Sequence, residues 1–272
     1  MKERIDYIVY INIIGDLMNP LSESYIRNMA DEPTLRIIDL WKELSKEILE
    51  YPIEVMLGNR KDNPELKHIP GEINSAYPGV FDGKVVLPIW LENPKSFDPL
   101  LITHEIGHWI LMVKGFKGLV NKYNKQSGLD INMNSLAQHL PLYKLQRDIG
   151  HDPQKMIDKR AKSNFNNLTR GPEIMLGDRW AEFALLFADD VLNCSEEIKN
   201  DLMELLQEDF PVTLSFLEKI LNLISKYDLN NPDSNLQFLK KLVNTLYLGE
   251  GWKVVDEVME LREMIKECNK KN

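Results

Sequence analysis

His104-Glu105-Ile106-Gly107-His108 is the segment of this chain whose residue types and spacing could do chemistry. Residues i and i+4 of an α-helix project from one face, so two imidazoles at 104 and 108 can reach one Zn²⁺ at roughly 2.0–2.1 Å. Glu105 is displaced around the helix toward the open side of such an ion, where its carboxylate can take a proton from an attacking water. With 5 histidines among 272 residues, composition predicts only ~0.01 chance occurrences of this pattern. A helix whose two histidines are merely packed or solvated is the competing reading.

The elements around the motif agree with it. Asp98-Pro99 is a helix start, an acidic N-cap followed by proline at the first helical position. Leu101, Ile102, Trp109 and Ile110 flank the motif with apolar side chains, and Gly115 is the expected stop. Upstream, apolar residues alternate over 5–14 with a strand period, and 33–50 carries a helical apolar face ended by Pro52. Residues 53–57 form a short strand, 58–71 a polar loop, and 73–81 an irregular stretch that could contain a strand. Asp82-Gly83 signals a hairpin turn into a strand at 84–91. Pro88 has no N–H for a central ladder, so this strand is expected at a sheet edge, where it could pair with an extended peptide.

Downstream, helices are expected at 133–148, 153–165, 178–192, 196–208, 211–226, 233–246 and 252–268, with Pro141 kinking or splitting the first. This is an α+β, predominantly helical chain with a lobe boundary near residue 115. Residues 1–115 form an N-terminal lobe with a small mixed sheet and the motif helix; 116–272 form a helical lobe.

Two histidines make an incomplete site, since catalytic zinc takes three protein ligands and keeps a fourth position open. A continuation with glycine at 111 and His or Asp at 114 is absent, because these positions hold Leu111 and Lys114. His139 and His151 lie in polar helical or turn segments without a further ligand pattern. Glu182, in Trp180-Ala181-Glu182-Phe183-Ala184, interrupts a strongly apolar helix, where a carboxylate must be paired, metal-bound or outward. Asp178, one turn earlier, is the alternative carboxylate. Asp178 and Asp189 could orient a ligand histidine. His139, Tyr143, His151, Arg170 and Arg179 could stabilise an oxyanion, with no pattern selecting one.

His-Glu-x-x-His followed by a glutamate in an aromatic-Ala-Glu helix resembles the gluzincin branch of the zincin metallopeptidases. The segment 180–184 is similar to the third-ligand helix of the lethal-factor-like branch and, more loosely, to that of ImmA/IrrE-type peptidases, whose Asn after the alanine is absent here. The resemblance implies a zincin-like fold, Zn²⁺ held by His104, His108 and Glu182, and Glu105 as general base in the hydrolysis of a peptide or protein substrate.

Composition narrows the partners. Lys plus Arg number 33 against 42 Asp plus Glu, a net charge of −9. That balance disfavours nucleic acid and anionic membrane surfaces. Cys194 and Cys268 are too isolated for a disulfide framework or a thiolate metal site. The N-terminal residues lack a signal-peptide pattern and no segment has the length of a membrane span, so a cytoplasmic protein is expected. Two other functions fit the same residues: a zincin-like binding or regulatory protein without catalysis, and a zinc hydrolase of a non-peptide bond.

Overall fold

The computed structural model describes residues 21–59, 61, 75–76, 78–95, 97–122, 128–170 and 180–271. The strand expected at 5–14, His68, Asp178 and Arg179 lie outside them. The described chain is predominantly helical with a small mixed sheet, and it divides into two compact units.

The first unit takes the chain through Val113, the turn Ile149–His151, and Glu257 onward. Its elements are α1 (Glu23–Met29), α2 (Glu32–Leu49), β1 (Glu54–Asn59), β2 (Ser75–Ala76), β3 (Gly79–Phe81), β4 (Lys84–Leu91), α3 (Pro99–Val113) and, much later, α10 (Glu257–Lys271). Asp31 caps α2 by accepting the Thr34 N–H at 3.0 Å, and Ile37, Ile38 and Trp41 are fully buried on its inner face. Asp82 and Gly83 both take positive φ, +47° and +72°, as a two-residue hairpin between β3 and β4 requires. Gly58 is needed for close approach: its partner across the ladder is Trp90, and a Cβ on Gly58 would lie 2.2 Å from the Trp90 ring.

β4 is interior, which corrects the expectation of an edge strand. It pairs in parallel with β1, from Glu54↔Val86 to Asn59↔Leu91. On its other side it pairs antiparallel with β3, from Gly79↔Val86 to Phe81↔Lys84, and with β2 at Ser75↔Trp90 and Ala76↔Ile89. Pro88 is tolerated because the chain on that side changes from β3 to β2 opposite Leu87 and Pro88, so neither strand registers a residue against the proline. With β1 on one side and β3 and β2 on the other, β4 offers no free edge to an extended peptide. At the far end of the sequence, α10 buries Leu261, Ile265 and Cys268 and packs on β4, α2 and α3. Arg262 donates to the Ile48 carbonyl at 3.0 Å.

α3 starts as its sequence dictates. Asp98 Oδ1 accepts the Leu100 N–H at 2.9 Å, and Pro99 occupies the first helical position. Ile102, Ile106, Trp109, Ile110, Leu111 and Val113 are buried. Leu101, His104, Glu105, His108 and Met112 are the partly exposed residues of its middle turns. Their spacing of i, i+3, i+4, i+7 and i+11 is one helical face.

The second unit holds Lys114–Asp148 and Asp152–Asp256. It comprises β5 (Gly118–Asn121), most of α4 (Gly128–Ile149), α5 (Gln154–Arg170), α6 (Trp180–Asn193), α7 (Glu196–Asp209), α8 (Pro211–Ile224), α9 (Pro232–Thr245) and β6 (Trp252–Val255). Its core draws on α4, α6, α7, α8 and α9, with Met133, Leu185, Phe187, Leu206, Ile220 and Phe238 among the buried residues. Residues 252–255 are a strand rather than the expected helix start: Gly251 at φ +100° precedes them, and Val254 and Val255 pair with Leu119 and Gly118 of β5. β-branched residues favour that extended geometry.

Pro141 does not split α4, which runs unbroken over Gly128–Ile149. A proline cannot donate to the carbonyl four residues earlier, here that of Ala137. The fully buried Asn235 of α9 supplies the donor instead, with Nδ2 at 2.6 Å from the Ala137 oxygen. Among the described residues, no helix is long and apolar enough to cross a membrane.

Candidate metal centre

The two motif histidines converge. His104 Nε2 and His108 Nε2 lie 3.3 Å apart, with ring centroids 4.9 Å apart and planes at 83°. Two imidazole nitrogens on one tetrahedral ion, each at about 2.05 Å, stand about 3.3 Å from each other by trigonometry. The spacing of the pair therefore matches that of two ligands on one ion.

Glu105 lies on the same face. Part of its surface reaches solvent, yet the protein packed around its carboxyl disfavours the charge and lifts its pKa to about 7. A carboxylate poised near neutrality suits general base catalysis.

His151 is a strut in the first unit. Its Nδ1 lies 3.1 Å from Thr103 Oγ1, and its Nε2 lies 2.8 Å from Asp31 Oδ2. It ties the start of α3 to the N-cap of α2. Burial would raise the Asp31 pKa, but hydrogen bonds from Thr34 and His151 hold it below the usual carboxylate range.

The second unit carries a buried polar cluster that the motif reading did not anticipate. His139 of α4 places Nδ1 2.6 Å from Asp189 Oδ2 of α6, and its ring stacks on Tyr143 at 5.1 Å. Arg160 of α5 pairs with Asp189 at 2.9 Å and with Asp190 at 3.0 Å, and donates to the Tyr143 hydroxyl at 2.9 Å. Asn164 donates to Asp190 at 2.7 Å. Burial works against the Asp189 charge, yet His139 and Arg160 hold its pKa below the usual value. Asp190 is lifted to about 6, chiefly by burial. Burial also raises the Tyr143 hydroxyl pKa, and the Asp189 charge adds to it. Tyr143, one of the oxyanion candidates, is thus bonded into this cluster.

Among the described residues, His104, His108 and His139 make up a group that could hold a metal ion, each offering one imidazole nitrogen. The expected ligand Glu182 is not part of that group. It lies partly buried in the first turn of α6, where its backbone carbonyl accepts a hydrogen bond from Asn132 Nδ2 at 3.3 Å. In the sequence, His139 is a ligand candidate without a further ligand pattern, in a segment that reads as polar. The signal was present in Leu136, Ala137, Leu140, Leu142 and Tyr143, an apolar helical setting in which a histidine needs a buried partner. No protein-family model, curated protein or solved structure matches this chain.

Proposed function

We propose that this protein is a zinc-dependent metallopeptidase in which His104, His108 and His139 hold the metal and Glu105 is the general base. The observation that carries the reading is the 3.3 Å convergence of His104 Nε2 and His108 Nε2, with Glu105 on the same face of α3. An all-imidazole donor set suits Zn²⁺, which accepts three protein nitrogens and keeps a position open. When bound, the metal supplies Lewis-acid polarisation of a carbonyl and of a water.

The chain's own residues do the rest. Glu105 takes the proton of the attacking water at its carboxylate and hands it to the departing amine nitrogen. A net charge of −9 supports a substrate other than nucleic acid. Glu182 is the second choice for third ligand, supported by its partly buried place on the apolar helix α6.

The test is zinc reconstitution followed by elemental analysis, with digestion of a peptide library read by mass spectrometry on the same samples. About one zinc per chain and cleavage that stops on chelation are expected. A reconstituted protein without transition metal overturns the reading, and metal-bound protein that hydrolyses esters but no peptide overturns the peptidase assignment.

A further inference from the structure

We infer that Asp189 is a positioning residue for His139, fixing the imidazole proton on Nδ1 so that Nε2 carries the lone pair for the metal. This inference rests on the metal site proposed above, in which His139 is one of three imidazoles. It adds the group that decides which ring nitrogen can ligate.

A neutral imidazole has one N–H and one lone pair, and their placement follows from the partners of each nitrogen. Asp189 Oδ2 lies 2.6 Å from Nδ1 of His139, and a guanidinium nitrogen of Arg160 lies 3.2 Å from it. They make opposite demands. An ionised carboxylate only accepts and a guanidinium only donates. The shorter contact goes to the carboxylate, and the same Arg160 nitrogen has the Tyr143 hydroxyl as an acceptor at 2.9 Å. Nδ1 therefore donates to Asp189.

Asp189 is itself held. Its Oδ2 pairs with Arg160 at 2.9 Å, and its Oδ1 accepts from Asn193 Nδ2 at 2.9 Å. Arg160 is anchored in turn by Asp190 at 3.0 Å, and stacking on Tyr143 fixes the plane of the ring. Ring orientation and tautomer are thus set within the second unit before any metal arrives. Partners of this kind raise ligand basicity, and their loss costs about 10–100-fold in metal affinity. The carboxylates of Asp189 and Asp190 against one guanidinium also leave this buried cluster with an excess negative charge, which favours a cation nearby.

The experiment has two arms on the full chain. In the metal-free protein, long-range ¹H–¹⁵N correlation spectra of the histidine rings should show His139 protonated at Nδ1. Protonation at Nε2 in that state overturns the inference, whether or not any variant folds. In the second arm, Co²⁺ is titrated into wild type, Asp189→Asn and Leu202→Ala, the last removing a buried core residue of α7 that has no part in the cluster. Asp189→Asn should bind Co²⁺ about 10–100-fold more weakly and alter its visible absorption, while Leu202→Ala should keep wild-type affinity. Unchanged affinity in Asp189→Asn, or an equal loss in Leu202→Ala, overturns the positioning role and leaves the metal site standing. Absence of Co²⁺ binding by wild type overturns both.

Discussion

Asn235 Nδ2 lies 2.6 Å from the carbonyl oxygen of Ala137, the acceptor that Pro141 strips of its helical donor. The same amide nitrogen also donates to the Leu229 carbonyl at 3.0 Å. Asn235→Ala should therefore leave two buried carbonyls short of a partner and lower stability by about 2–6 kcal/mol, at 1–3 kcal/mol for each. In a Pro141→Ala background the restored N–H can serve Ala137, so the same substitution should cost less. Urea denaturation of the four proteins in this double-mutant cycle reads the difference. Equal costs in both backgrounds would show that Asn235 does not compensate for the proline.

Glu105→Gln is nearly isosteric and touches neither ligand nitrogen's donor capacity. Zinc content and thermal stability should stay at wild-type levels while peptide turnover falls about 10²–10⁴-fold. His104→Ala should lose metal and turnover together. A Glu105→Gln protein that cleaves as fast as wild type while holding zinc would remove Glu105 from the mechanism.

The choice of third ligand is decided by comparing two truncations. His139→Ala should weaken zinc binding by orders of magnitude, and Glu182→Ala by less than about tenfold, because only the former deletes a member of the imidazole group. Competition with a fluorescent chelator measures both. A larger loss in Glu182→Ala would return α6 to the ligand role that the sequence resemblance implies.

Acid titration of the metal-free protein should expose Asp190. Its folded pKa of about 6 stands above the ordinary value of 3.8, so the folded state binds the proton more tightly than the unfolded one. That contribution favours folding below about pH 4 and is lost as pH rises through 6. Asp189 works in the opposite sense: its lowered pKa favours folding above its ordinary value and loses that effect in acid. Asp190→Asn should consequently remove a fall in stability between pH 4 and 6. Denaturation midpoints across that window give the answer, and an unchanged slope would contradict it.

Local signals make much of the motif helix α3 legible. The Asp98-Pro99 start, the i, i+4 histidines and the apolar flanks are all short-range features, and α3 follows them residue by residue. The parts that escaped depend on contacts distant in sequence. Pro88 argues for an edge until the switch from β3 to β2 is seen opposite it. Trp252–Val255 reads as helix until β5 supplies a ladder. His139 reads as one more polar helical residue until Asp189, 50 residues away, is seen 2.6 Å from its Nδ1. Glu182, the carboxylate expected as third ligand, stands in the first turn of α6, and Asp189 lies seven residues later on the same helical face.

The place of α10 in the first unit has a consequence for biosynthesis. The helix that packs on β4, α2 and α3 begins about 140 residues after Val113. At about 5–20 residues per second on the ribosome, α3 waits roughly 7–30 s for that partner. During the interval, the surfaces destined to meet Leu261, Ile265 and Cys268 stand uncovered on the nascent chain. A chain released before Glu257 would carry the motif helix without the packing that α10 supplies.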